Sequence, residues 1–179
     1  MSKKMNLKTT TMTLTKSKYY FEALDYFPFN LSECMDALNY ALSYEPEDAD
    51  SLCLMGRVYS EELKDYETAK KYFDEAMQSN IGNVNTPKYY IECLLNNEDY
   101  KEAEKLIAFA LELKGIDKSE ILNCLSLLQE RKFEYKQALA TLKEAKKFAY
   151  NRAALEIIED REKLVKGKVT RTRIVKKAE

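Results

Sequence analysis

Apolar residues recur along this chain at a spacing that predicts amphipathic helices. An aromatic residue, an alanine, a large apolar residue and a second alanine follow one another at offsets of 3, 4 and 3 residues. Because an α-helix has about 3.6 residues per turn, these positions share one face. The pattern occurs three times: at Tyr66, Ala69, Phe73 and Ala76; at Tyr100, Ala103, Ile107 and Ala110; and at Tyr135, Ala138, Leu142 and Ala145.

The three copies lie 34 and then 35 residues apart. A weaker copy begins 35 residues before the first, with Leu31, Cys34, Leu38 and Ala41, and Pro46 follows it. A constant period of this length is typical of helical repeat arrays, in which each unit buries its apolar face against its neighbours.

A second helix is predicted upstream of Tyr66, where Leu52, Met55, Gly56 and Tyr59 share a face. A glycine inside a helix costs about 1 kcal/mol relative to alanine. We therefore expect another helix to approach Gly56 so closely that a side chain would block the contact. Each unit is predicted to be a helix–turn–helix.

These residues resemble the tetratricopeptide repeat (TPR), whose pattern has a large apolar residue, Leu-Gly, Tyr, Ala, Phe, Ala and a final Pro. The resemblance covers about residues 17–150. This chain departs from the pattern in having no Trp, an extra residue between the helices of its second unit, and Ile91 and Leu125 in place of Gly. The resemblance implies a solenoid that binds other proteins, and no particular reaction.

The predicted organisation is all-α: a basic, Thr-rich tail at 1–16, about four TPR-like repeats at 17–150, a capping helix at 151–166 and a basic tail at 167–179. Helices are expected at about 17–27, 30–44, 49–62, 65–79, 86–96, 99–115, 117–131, 134–149 and 151–165. Asn30, Asp65, Asp99 and Asp117 are the expected N-caps, while Thr86-Pro87 and Gly115 mark a helix start and a helix end.

The two tails are rich in β-prone residues at 8–15 and 169–175. One interpretation is that both are extended and flexible. The other is that they pair, within one molecule or between molecules, as a small ribbon outside the solenoid, which would need a packing surface.

The net charge of −1 conceals a division along the chain. Residues 1–18 carry five lysines and no acid, residues 163–179 have a charge of +6, and the segment between them has −12. Either the tails fold back onto the acidic body, or they contact nucleic acid or an acidic partner. No nucleic-acid-binding motif accompanies the charge, which ranks nucleic acid below a protein partner.

Catalytic and metal-binding patterns are not found in the sequence. The chain has no histidine, no phosphate-binding glycine loop and no closely spaced cysteine pair. We therefore expect no enzyme activity, cofactor or metal. Cys34 and Cys124 are predicted to pack in the core, and Cys53 to lie on the inner face and be open to solvent. No segment is apolar enough to span a membrane, and a cytoplasmic protein is expected.

The concave face of a TPR-like solenoid is formed by the first helix of each pair, and it is the expected binding surface. A partner segment laid in this groove would meet hydrogen-bonding and charged side chains. The candidate partner-binding residues are Asp50, Cys53, Arg57, Glu61, Asn85, Lys88, Glu92, Asn96, Ser119 and Ser126.

The sequence thus predicts an adaptor or scaffold that binds a protein or peptide partner. One rival is a structural subunit that assembles through its tails and end surfaces. A second rival is a nucleic-acid-associated factor that uses the basic tails.

Overall fold

Nine helices make up the part of the chain that the structure covers. The computed structural model describes residues 17–178, with side chains up to residue 170, so the predicted tail at 1–16 lies outside it. The helices are α1 (Lys18–Tyr26), α2 (Leu31–Tyr44), α3 (Ala49–Arg57), α4 (Tyr66–Ser79), α5 (Thr86–Asn96), α6 (Tyr100–Glu112), α7 (Lys118–Arg131), α8 (Tyr135–Ala145) and α9 (Arg152–Ala178). No strand occurs within this range, which confirms the all-α prediction.

The helices stack as antiparallel pairs: α1 with α2, α3 with α4, α5 with α6 and α7 with α8. Each following first helix packs on both helices of the preceding pair, so that α5 contacts α3 and α4, and α7 contacts α5 and α6. The alanines of the repeated pattern are fully buried at these contacts. Small residues there let the helices approach closely, while Phe73, Ile107 and Leu142 fill the space between them.

Gly56 lies directly against the Phe73 ring. A Cβ atom built on Gly56 would stand 2.9 Å from two carbons of that ring, nearer than packed carbons approach one another. The close approach expected from the sequence is therefore confirmed, and it explains a glycine in the middle of a helix.

The extra residue of the second unit is accommodated at the end of its first helix. Beyond Arg57 the chain continues as one π-helical turn, Val58–Glu62, in which the Leu63 N–H donates to the Val58 carbonyl over 3.1 Å. A π turn absorbs one more residue than an α turn without breaking the helix. The insertion thus leaves Tyr66 in register with the later copies.

The turns between paired helices share a feature that the sequence did not reveal. Lys64, Glu98 and Phe133 each have a left-handed backbone, with φ of 57°, 63° and 62°. Each stands two residues before the aromatic residue of the repeated pattern. The repeat therefore extends to backbone conformation, although no glycine marks these positions.

Most of the predicted N-caps are confirmed. Asn30, Asp65 and Asp117 accept hydrogen bonds from backbone N–H groups in the first turns of α2, α4 and α7. Asp99 is the N-cap residue of α6, as predicted, but its side chain makes no capping hydrogen bond. Its carboxylate instead accepts from Lys70 over 2.9 Å, because that lysine reaches it from the preceding pair.

The C-terminal helix is longer than predicted. It was expected to end at 165 or 166, with an extended segment at 169–175, but α9 continues to Ala178. The prediction of β-prone structure there is wrong, because the residue types of this segment are compatible with a helix once one has begun. Ile158 and Val165 are buried against α8, as a capping helix requires.

The buried alanines allow the helix–helix contacts to be tested by mutation. Replacing Ala103 or Ala138 with leucine is expected to destabilise the fold by about 1–3 kcal/mol each, since both side chains are fully buried at helix–helix contacts. Urea unfolding followed by circular dichroism measures the change. Ala140→Leu, on the exposed side of α8, is the control and is expected to change stability by less than about 0.5 kcal/mol. Wild-type stability of both buried variants would contradict the packing.

Candidate inner-face site

The first helices form the inner layer of the solenoid. They stack directly on one another, with α5 on α3, α7 on α5 and α9 on α7, while the second helices pack chiefly on the first helices beside them. The layer with the closer stacking is the concave side of such an array. Side chains that project from α3, α5, α7 and α9 away from the second helices therefore line a common groove.

Arg57 is held rigidly at the N-terminal half of this groove. Its guanidinium carbon lies 4.6 Å from the centroid of the Phe27 ring and 4.0 Å from that of Tyr89. Its Nε donates to Glu61 over 2.7 Å and its Nη2 donates to the other carboxylate oxygen over 3.3 Å. The two rings and the two-point ion pair fix the arginine and compensate its charge.

Two further contacts join successive repeats across the groove. The Lys88 ammonium of α5 donates to Glu120 of α7 over 2.8 Å. The Asn83 amide donates to Asp50 of α3 over 2.8 Å. These bonds link groups about one repeat apart, so they hold neighbouring first helices in a fixed relation.

Glu92 differs from these residues because it forms no hydrogen bond or ion pair with any residue in the described part of the chain. It is half-buried on α5, one turn after Lys88, whose ammonium reaches to Glu120 instead. Burial raises the pKa of the Glu92 carboxyl. Lys88 and Arg57 oppose this rise, while Glu61 and Glu120 add to it.

A cavity of about 300 Å³ opens beside Glu92, between α5, α7 and α9. Two polar atoms of cavity-lining residues are buried without a hydrogen-bond partner, the Asn123 Oδ1 and the Arg161 Nε. Another nitrogen of Arg161, Nη1, donates to Glu130 over 3.0 Å. The remaining lining residues are Lys88, Ser119, Glu120, Cys124, Ala154, Ile157 and Ile158. The cavity thus combines polar and apolar walls, as ligand sites do.

Solved structures of other proteins share this architecture. A thermophilic TPR protein of Thermus thermophilus, TTC0263, matches with a TM-score of 0.70 and 16% identity over 84% of this chain and 82% of its own. The chain has the tetratricopeptide-repeat fold. PilF of Pseudomonas aeruginosa matches with a TM-score of 0.69 and 19% identity, over 83% of this chain and 70% of that one.

MamA of Desulfovibrio magneticus RS-1, from residue 41 to its end, also matches this TPR array. Its TM-score is 0.63 at 15% identity, over 90% of this chain and 95% of that chain. No protein-family model matches the sequence. No curated protein matches it either. The likeness therefore lies in the fold, and the function must be argued from the site.

The TPR fold brings several predicted site residues together. Arg57, Glu61, Lys88 and Glu92 lie near enough for their charges to interact, and Asp50 accepts a hydrogen bond from Asn83 of the next repeat. Asn85 and Asn96 are exposed at the two ends of α5.

Three predicted site residues are not accessible. Cys53 is 5% exposed, Ser119 is 2% exposed and Ser126 is fully buried. The expectation that Cys53 is open to solvent is wrong, because Leu52, Ala69 and Phe73 pack in the same core cluster around it. Burial of Cys34 and Cys124 confirms the other cysteine prediction.

The sequence did not single out Phe27, Tyr89, Asn123 or Arg161. The repeat register could have identified Arg161 from the sequence. It occupies the position that Arg57, Glu92 and Ser126 hold in the preceding units. Extending the register into the capping helix would have found it. In the described part of the chain, no helix is both long and apolar enough to cross a membrane.

Proposed function

We propose that the protein is an interaction scaffold that binds a segment of a partner protein in the groove of its TPR array. The observation that supports this is the cavity of about 300 Å³ between α5, α7 and α9, whose walls are both polar and apolar. A concave site of this kind can hold a side chain of a bound partner segment.

The groove is also rigid before binding. Arg57 is fixed between two rings, and Lys88 and Asp50 are each bonded to a neighbouring repeat. A preformed surface loses little conformational entropy when it binds an extended or helical segment. Binding in the groove, rather than catalysis, is what this arrangement performs.

Filling the cavity is expected to abolish peptide binding. A phage-displayed library of random peptides is selected on the wild-type protein, and the selected peptides are then titrated against Ala154→Trp. Because Ala154 lines the cavity, the indole would occupy the space that the peptide needs. We expect a loss of affinity of about tenfold or more, corresponding to at least about 1.4 kcal/mol.

The adjacent Ala153→Trp is the matched control, since Ala153 is exposed on the same helix and does not line the cavity. Equal helical circular dichroism of both variants shows that the fold is kept. If the selected peptides bind the Ala154→Trp and Ala153→Trp variants with equal affinity, the binding surface lies elsewhere.

An assembled structural subunit remains a second proposal, favoured by apolar exposure at the N-terminal end. Phe21, Phe29, Tyr40 and Tyr44 are exposed on or beside α1 and α2, where no earlier pair covers them in the described chain. Sedimentation velocity at increasing protein concentration tests this proposal, and a constant monomeric value would contradict it.

A further inference from the structure

The charges around the cavity are paired with a single exception. Arg57 is bonded to Glu61, Lys88 to Glu120 and Arg161 to Glu130. Among the charged side chains that line the cavity in the described chain, this leaves Glu92 without an ion pair. A cationic ligand would therefore find one carboxylate at the cavity that is not engaged in an ion pair.

Glu92 is also poorly solvated. It is half-buried at the cavity wall, and the nearby Lys88 ammonium is hydrogen-bonded to Glu120 of α7. A carboxylate that has lost part of its hydration gains more from a bound cation than one in open solvent, because water screens the attraction less.

The Glu92 carboxylate defines the charged end of the ligand. A carboxylate only accepts hydrogen bonds, and a primary ammonium carries three donors and no acceptor. The ammonium of lysine is a compact point charge that can approach one carboxylate from many directions, whereas the planar guanidinium of arginine needs a carboxylate presented in its own plane.

The apolar wall fits the stem of such a side chain. Ile157 is 60% exposed at the cavity and lies close in sequence to Ala154, which also lines it. A lysine side chain packs four methylene groups against apolar surface while its ammonium reaches a polar group. The volume of about 300 Å³ is enough for one such side chain and its adjoining peptide group.

We propose that the cavity between α5, α7 and α9 binds a lysine side chain of the partner segment, with the ammonium on Glu92 and the stem along Ile157. This inference rests on the proposed groove function and names the chemistry that the groove selects. The partner is therefore a protein with a lysine in an accessible segment.

The test uses four capped synthetic peptides of alanine and leucine that differ only at a central residue, which is lysine, norleucine, arginine or glutamate. Isothermal titration calorimetry or NMR shift titration with the full chain gives each affinity. The lysine peptide is expected to bind about tenfold or more tightly than the norleucine peptide. Equal or tighter binding of the norleucine, arginine or glutamate peptide would overturn the assignment, as would no measurable binding of the lysine peptide.

Glu92→Gln is expected to abolish the preference for lysine over norleucine. Glu104→Gln is the matched control, because it removes the same charge from α6 outside the cavity, and it should retain the preference. A lysine preference that survives Glu92→Gln would overturn the inference. The proposed groove function would still hold in that case if the library-selected peptides lose affinity for the Ala154→Trp variant.

The pH dependence gives a readout that a structural role of Glu92 would not produce. Only the ionised carboxylate attracts an ammonium, so affinity for the lysine peptide is expected to fall as pH drops and Glu92 takes up a proton. Because burial raises the pKa of Glu92, this loss should begin at a higher pH than for an ordinary glutamate. Affinity for the norleucine peptide should stay constant over the same range, and parallel pH profiles of the two peptides would count against the site.

Discussion

Phe73→Ala is expected to lower the free energy of unfolding by about 3–5 kcal/mol, the usual cost of removing a fully buried aromatic side chain. The ring is completely buried, touches Gly56 of α3 and stacks on Tyr90 of α5 at a centroid distance of 5.2 Å. Truncation would therefore open a cavity at two interfaces at once, one within a helix pair and one with the next pair.

Urea unfolding monitored by circular dichroism gives this value directly. Phe133→Ala provides the comparison, since the Phe133 ring is 78% exposed in the turn before α8. That variant is expected to stay within about 0.5 kcal/mol of the wild type. A loss of stability at Phe73 no greater than at Phe133 would show that the second and third pairs do not pack through this ring.

Gly56→Leu is expected to destabilise the protein by about 3 kcal/mol, at the upper end of the cost of overpacking. The first added carbon already falls 2.9 Å from the Phe73 ring, and the remaining carbons of leucine would extend further into a filled core. The ring cannot move aside, because it is enclosed by α3, α4 and α5.

Gly167→Leu is the corresponding change where space is free. A Cβ on Gly167, within α9, would meet no atom within 4 Å. Leucine has a higher helix propensity than glycine, so this variant should be unchanged or more stable by up to about 1 kcal/mol. Thermal melts of the two variants are expected to shift in opposite directions, and a gain of stability in both would mean that helix propensity, not the contact with Phe73, governs the effect at Gly56.

The architecture could be predicted from the sequence because its period is carried by buried residues. Tyr66, Ala69, Phe73 and Ala76 must face a neighbouring helix, and any shift of register would place a charge there instead. The left-handed turn residues were not predictable, since Lys64, Glu98 and Phe133 are not residues that favour that conformation. The way each first helix ends imposes the conformation, because the next N–H, of Asp65, Asp99 or Glu134, bonds back to a carbonyl of the preceding helical turn.

The length of α9 and the burial of Cys53 were also not predictable from local sequence. Residues 169–175 include several β-branched residue types, and their local preference suggested extended structure. The preceding turns of α9 are already packed on α8, so each further residue only extends an existing helix and avoids the cost of nucleation. Likewise Cys53 lies at an inner-face position, but its burial depends on Phe73 and Ala69 from the paired helix.

The inner face was predictable in outline and not in detail. Repeat register alone placed Arg57 and Lys88 on one side of the solenoid. It could not show that their charges are taken up by Glu61 and Glu120, since these pairs depend on distances between side chains in the folded array. Nor could it show that Glu92 has no ion pair within the described part of the chain.

The packing of each helix pair on its immediate neighbours has a consequence for how the chain folds. Nearly all contacts join residues within about one repeat of each other, so the protein has a low contact order and is expected to fold rapidly. Folding can begin at any pair and spread in both directions, as in a one-dimensional chain of coupled units. In the described stack the α1–α2 pair and helix α9 stand at the ends and are expected to open first, while the second and third pairs, joined through Phe73 and Tyr90, have neighbours on both sides.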